Sequence, residues 1–286
     1  MKYGVIDIGS NSVRLLMASG GKTLYKDLNT TRLGEGLALS GVLSAAAMYR
    51  TAFAVRDFKE RALREGASDV FAFATAAVRA AQNGSAFVEL VKETAGLDVD
   101  VISGEEEAAI GLAGALGGAS DGGIIDVGGG STELTLRVGG NVVRATSVDV
   151  GAVRLYDLCG RDREKLTRTA KEKISSFAGE CTVPVFAIGG TATSLGALAL
   201  GLMRYDPQKV DGYVLTAGKL DELIDGIFAR SPEEIVAQSC LPLRRAEIVG
   251  GGAVLIREAM RLLELEQLTV SERDNLEGYL WRRLGQ

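Results

Sequence analysis

Short apolar runs alternate with amphipathic stretches along this chain. Tyr3 to Ile8 and Val13 to Ala18 read as two strands around the polar turn Gly9-Ser10-Asn11-Ser12, a hairpin. Ser19-Gly20-Gly21-Lys22-Thr23 reads as the next hairpin turn. It differs from a P-loop because Leu16 stands where the first glycine of that pattern would fall. From Ser44 to Glu65 apolar residues recur at helical spacing (Ala47, Met48, Thr51, Ala54, Val55, Phe58, Leu63), so an amphipathic helix ending at Gly66 is expected. A strand at Val70 to Phe73, a helix from Thr75, a strand at Val99 to Ile102 and a helix from Gly104 to Leu116 follow. The first half is therefore alternating α/β.

The second half opens as the first does. Ile124-Ile125-Asp126-Val127-Gly128-Gly129-Gly130-Ser131 repeats the order apolar, Asp, apolar, Gly, two further residues, Ser that runs from Ile6 to Ser12. The glycine-rich, aperiodic stretch Gly117 to Gly123 precedes it and reads as a domain boundary. Val185 to Ile188 is a further strand entering a glycine turn and helix, and Gly250-Gly251-Gly252 opens another helix. The four prolines, Pro184, Pro207, Pro232 and Pro242, lie at segment edges. A last amphipathic helix is expected over Glu272 to Arg283. The expected organisation is a first domain at 1–118, joined by the C-terminal helix 272–286, and a second at 119–271.

Composition narrows the chemistry. The chain has no histidine among 286 residues, which removes histidine triads and His-containing zinc sites, so any general base is a carboxylate, Lys, Tyr or Cys. Three cysteines without C-x-x-C spacing argue against a disulfide framework and a zinc knuckle. The net charge of −5 argues against DNA or other bulk nucleic-acid binding. No apolar run approaches the roughly 18 to 20 residues that span a bilayer, and Asp7 interrupts the region where a signal peptide is apolar. The expectation is a cytoplasmic protein with no membrane partner; a homodimer is left open.

Three constellations carry chemistry. At hairpin bends with Gly and Ser, successive backbone N–H groups point into one concavity that phosphate oxygens can approach. Asp7 and Asp126, just before such bends, would repel phosphate directly and make sense as holders of a divalent cation. In Ser103-Gly104-Glu105-Glu106-Glu107, Ser103 as N-cap puts Glu106 at N3 of a capping box and Glu105 at the favourable end of the helix dipole. Glu107 has no such structural duty and is the candidate base in the cleft, its proton affinity raised by burial and neighbouring carboxylates. Arg79 has the planar fork suited to phosphoryl charge, with Arg14 and Arg32 as weaker versions. Taken alone, each has a plain alternative: a hairpin turn, a solvated acidic helix start, a surface arginine.

Asp7-Ile-Gly-Ser-Asn-Ser12, Thr75-x-x-x-Arg79, Ile102-Ser-Gly-x-Glu-Glu-Ala108, Asp126-Val-Gly-Gly-Gly-Ser-Thr-Glu133 and Gly189-Gly-Thr191, in this order, resemble the exopolyphosphatase / guanosine pentaphosphate phosphohydrolase family. The resemblance runs from residue 4 to about residue 280. It implies an α/β fold of two ribonuclease-H-like domains, of the actin / hexokinase / heat-shock-70 superfamily, around an interdomain cleft. It implies Glu107 as the base that activates water and Arg79 as its catalytic partner on phosphate. It implies phosphate binding by Gly9, Ser10, Asn11, Ser12, Arg14, Gly128, Gly129, Gly130, Ser131, Thr132, Gly190 and Thr191, and Mg²⁺ (or Mn²⁺) organised by Asp7, Asp126 and Glu133. The implied substrate is inorganic polyphosphate, with guanosine pentaphosphate as the alternative. An ATP-binding kinase or ATPase, or a non-catalytic phosphate-chain sensor, are further alternatives within the superfamily.

The chain departs from the family pattern at Ala109 and Leu276, where arginine is usual, which predicts weaker binding of long polyanions. It also stops before the His-rich helical domain of longer members, which predicts a shorter groove and a preference for short chains.

Overall fold

The computed structural model describes residues 1–285. Strands β1 (Lys2–Ile8), β2 (Val13–Ser19), β3 (Lys22–Asn29), β4 (Ala67–Ala74) and β5 (Asp100–Val101) form one sheet in the order β3-β2-β1-β4-β5. Strands β6 (Gly122–Val127), β7 (Thr132–Val138), β8 (Asn141–Val148), β9 (Val185–Ile188), β10 (Val214–Thr216) and β11 (Gln267–Val270) form the other, in the order β10-β11-β9-β6-β7-β8. Within both sheets a central strand pairs antiparallel with the next strand of its hairpin and parallel with a strand that returns through a helix. The repeated sequence pattern is thus a repeated topology. Residues at equal places in the two hairpins face each other across the ladder, Asp7 with Arg14 and Asp126 with Glu133.

The central strands are apolar and closed off on both sides, as strands covered by helices must be. Gly4 to Ile8 and all of β6 are buried. The helix Ala45–Arg64 begins where the Ser44 hydroxyl accepts the Ala47 N–H and lays Ala47, Ala52, Val55, Phe58 and Ala62 against the first sheet. Val55 and Phe58, taken from water, each contribute about 1.5–3 kcal/mol. Gly66, at φ 88°, stops the helix in a conformation that suits glycine.

Two helices, Gly104–Leu116 and Asn275–Leu284, lie between the sheets. Ile110 packs with Val5, Phe73, Leu276 and Tyr279, the Phe73 and Tyr279 rings stacking at 4.5 Å, while Leu112, Ala115 and Leu116 pack on Ile124 and Ile188 of the second sheet. Their backbones meet at glycines. A Cβ on Gly278 would stand 1.8 Å from the Ile110 carbonyl oxygen, and one on Gly114 2.0 Å from that of Asp274. The helix pair is therefore backbone-tight, and it meets the second sheet through apolar side chains.

Some boundaries differ from the sequence expectation. The last helix starts at Asn275, not Glu272, because Asp274 caps it by accepting the Leu276 N–H and closing a capping box with Glu277. Residues 271–274 become a linker. The strand expected at Val99 to Ile102 is only Asp100–Val101. In the second half the helices Ala152–Cys159, Arg163–Lys173 and Ala217–Phe228 and the short strands β10 and β11 add to what periodicity indicated. Pro207 and Pro232 sit in the first turn of two short helices, where a missing N–H costs nothing.

Gly278→Ala should destabilise the protein by about 1–3 kcal/mol or more, since no flexible atom can yield at the crossing. Gly218→Ala, in the first turn of an exposed helix with open space around it, should stabilise by about 0.4–1 kcal/mol. Urea unfolding midpoints of the two variants should move in opposite directions.

Candidate active site

The site is built from two copies of one turn. In the first, the Gly9 N–H donates to the Ser12 carbonyl at 3.0 Å; in the second, the Gly128 N–H donates to the Ser131 carbonyl at 3.0 Å. The loops abut. A Cβ on Gly129 would lie 2.8 Å from the Ser10 Cβ, and one on Gly130 would lie 2.7 Å from the Ser10 hydroxyl oxygen. Glycine is needed here because the other loop occupies the space where a side chain would go. A cavity of about 70 Å³ lies between them, lined by both loops together with Asp7, Arg14, Thr75, Glu107, Asp126, Gly189, Gly190, Arg245 and Asn275.

Helix capping separates the three glutamates as expected. The Ser103 hydroxyl accepts the Glu106 N–H and Glu106 accepts the Ser103 N–H, so Glu106 completes the box while Glu107 is turned inward and is only 7% exposed. Its carboxylate meets the Arg79 guanidinium at 3.3 Å; the same Arg79 nitrogen donates to the Ile102 carbonyl at 2.7 Å. Arg79 is thereby held against Glu107, beside the residues that line the cavity and not among them.

Burial pushes the Glu107 carboxyl up to about 7, Asp7 adding to the shift and Arg79 opposing it. Burial and then Glu107 push Asp126 up to about 8. Burial also holds Glu133 well above the usual carboxylate range, with Glu107 and Asp126 adding to it. These groups share protons as a set.

The two halves differ at the place where Arg14 and Glu133 are equivalent. Arg14 donates to Asp7 at 2.9 Å and also pairs with Asp274, and Lys26 reaches Glu277 at 2.8 Å. Against its burial, Arg14 and Lys26 hold Asp274 below the usual carboxylate range. In the second hairpin Glu133 accepts from the Ser147 hydroxyl at 2.7 Å.

Gly9, Ser10, Asn11, Ser12, Arg14, Gly128, Gly129, Gly130, Ser131 and Gly190 all line the cavity. Thr132, Glu133 and Thr191 stand behind it. The Thr132 hydroxyl donates to the Val150 carbonyl and that of Thr191 to the Val127 carbonyl at 2.8 Å, so both brace the floor instead of facing a ligand.

Two lining residues escaped the sequence reading. Arg245 presses its guanidinium onto Gly190, where a Cβ would come within 2.5 Å; burial and then Arg14 lower it to about 10. Its signal was the Arg244-Arg245 pair just ahead of Gly250 to Gly252. Asn275 donates to Asp126 at 3.2 Å, and nothing in the local pattern marked it.

Among the described residues no group of three or more His, Cys, Asp or Glu side chains forms a ready metal-holding set. The floor nevertheless suits a cation, since Asp7 Oδ1 and Glu133 Oε2 are buried without a hydrogen-bond partner.

One strand-turn-strand unit is thus present twice in the chain, with a polar cleft between the copies. Residues 16–286 match the Ppx/GppA phosphatase family, and the chain belongs to it. It is 30% identical to exopolyphosphatase 2 of Mycobacterium tuberculosis over 97% of both chains. It is 29% identical to the guanosine-5'-triphosphate,3'-diphosphate pyrophosphatase of Vibrio atlanticus over 94% of this chain and 56% of that one. A crystal structure of the Aquifex aeolicus family member superposes with a TM-score of 0.80 at 29% identity, covering 99% of this chain and 97% of that one. No helix among the described residues is long and apolar enough to cross a membrane.

Because Glu107 binds its proton more tightly folded than unfolded, its contribution to stability is fully present below about pH 4.5 and is lost as pH rises towards about 7. With divalent cations chelated, stability should fall over that range. Glu107→Gln should flatten the fall, leaving the variant more stable than wild type at pH 8 by on the order of 1–3 kcal/mol. Urea titrations at pH 4.5, 6 and 8 check this; an equal slope in both proteins would contradict it.

Proposed function

We propose that the protein is a Mg²⁺-dependent exopolyphosphatase that hydrolyses the terminal phosphoanhydride bond of short polyphosphate chains. The observation that carries this reading is the meeting, in one cleft, of two glycine loops and a carboxylate whose proton affinity suits a base near neutral pH, with the Arg79 guanidinium bonded to that carboxylate. The backbone N–H groups of the loops and Arg79 bind and orient the terminal phosphoryl group, so positioning and charge stabilisation supply most of the acceleration. Glu107 takes the proton of the attacking water as the new P–O bond forms and the anhydride P–O bond breaks. Free phosphate and a shortened chain result. Asp7 and Asp126, with Glu133 behind them, would hold Mg²⁺ through few protein ligands, the usual habit of this ion, which keeps waters and takes phosphate oxygens. Bound there, the ion neutralises charge on the phosphates.

Short chains are favoured by the small cavity between the loops and by Ala109 and Leu276 in place of cations, Leu276 being fully buried in the core. One feature favours guanosine pentaphosphate as a second reading. A chamber of about 320 Å³ opens beside the cleft, sharing Arg14, Gly190 and Arg245 with it and presenting Tyr205, Leu241 and Pro242, surfaces on which a base can pack.

Phosphate release from short polyphosphate, long polyphosphate and guanosine pentaphosphate, each with Mg²⁺, decides among these. The short chain should give the highest kcat/KM, and a dominant rate on long chains would overturn the size argument. Glu107→Gln should lower kcat by about 10²–10⁴ while leaving chain binding largely intact. Full activity in that variant would remove Glu107 from the mechanism. Chelation should abolish turnover and Mg²⁺ should restore it.

A further inference from the structure

We propose that the segment from Thr30 to Gly36 is a clasp between the two domains, and that Arg32 is a positioning residue which ties the first glycine loop to the second domain through Glu247. Leu33 and Leu37 anchor the segment in the core of the first domain. From that anchor its backbone grips the first loop: the Arg32 N–H donates to the Asn11 carbonyl and the Gly34 N–H to the Ser10 carbonyl, both at 2.8 Å. With these carbonyls drawn backwards, the loop has one orientation.

The same segment reaches across the cleft. Arg32 pairs with Glu247 at 2.7 Å, the Gly36 N–H donates to the Asp157 carboxylate at 3.0 Å, and Arg244 donates to the Thr30 carbonyl at 3.1 Å. Asp157 belongs to the Ala152–Cys159 helix, whose first N–H groups hold the second loop: those of Ala152 and Val153 donate to the Gly128 and Gly129 carbonyls at 2.9 Å each. Glu247 follows Arg245, which lines the cleft. Each loop therefore has its own brace, and the clasp joins brace to brace.

Arg32 is held against its own preference. Its φ of 51° is left-handed, which costs a residue with a Cβ on the order of 1–2 kcal/mol, and its Nε is buried without a partner. Such a conformation persists only when surrounding contacts fix it. The interface is also lopsided. On the axis side Leu112, Ala115 and Leu116 pack on Ile124 and Ile188 and the contact is apolar, whereas the clasp consists of ion pairs and single hydrogen bonds, each worth at most about 1 kcal/mol when water can replace it. Separation of the two halves therefore begins at the polar edge.

The role of the loops rests on the proposed function, but the clasp is testable without turnover. Arg32→Glu, Glu247→Arg, the Arg32→Glu/Glu247→Arg exchange and the milder Glu247→Gln are compared with wild type by small-angle scattering and by calorimetric binding of tripolyphosphate. If each single change cuts the closed population to about a tenth, apparent affinity falls about tenfold. The radius of gyration should increase in both charge reversals and less in Glu247→Gln, and the exchange should restore size and affinity together. Unchanged size and affinity in all the singles, or no recovery in an exchange variant that folds normally, would overturn the clasp. Loss of one charge-reversal variant to misfolding leaves Glu247→Gln to decide: wild-type size and affinity there also count against it. If binding and size follow the clasp while no form, wild type included, releases phosphate, the clasp stands and the assigned activity fails.

Discussion

Negative charge buried between two domains is the constraint around which this molecule is organised. Asp7, Glu107, Asp126 and Glu133 are each less than a tenth exposed, and only Asp7 and Glu107 have a cation in direct contact. Removing a carboxylate from water costs several kcal/mol unless it is paired or protonated. The protein tolerates this because rigid neighbours fix the separation of the groups. Glu107 is carried by a helix locked against the last helix at glycines, Asp7, Asp126 and Glu133 by sheet strands, and the shared protons relieve what remains. The shifted proton affinities are therefore a product of burial first and of the neighbouring charges second.

Most of this was legible in the sequence where local rules govern. The capping box at Ser103 and Glu106 follows from spacing alone, and with those duties assigned Glu107 is left to face inward. The duplicated hairpin was visible because the demands of a tight turn, Gly and Ser after an apolar strand ending in Asp, act over only a few residues. The helix ending at Gly66 was visible for the same reason.

What local rules missed depends on contacts far apart in sequence. Asn275 meets Asp126 across 149 positions, and Arg245 is defined as a lining residue only by its contact with Gly190. Thr132 and Thr191 show the converse. Each sits in a motif whose neighbours line the cleft, yet the strand pleat and the helix turn direct its hydroxyl to a backbone carbonyl. Asp274 overrode periodicity by offering a cap two residues inside the expected helix, which turned its start into a linker.

The hairpins are copies in shape but opposites in charge. Where the first places Arg14 across from its aspartate, the second places Glu133 across from its own. A pseudo-symmetric cleft would treat its two ends alike; this one carries a built-in electrical direction. An elongated anion lying between the loops meets Arg14 on one side, while on the other the equivalent residue, Glu133, stands behind the floor. Its two ends are thereby distinguished before any contact with the chain's interior is made, and the duplication that built the cleft no longer makes its halves interchangeable.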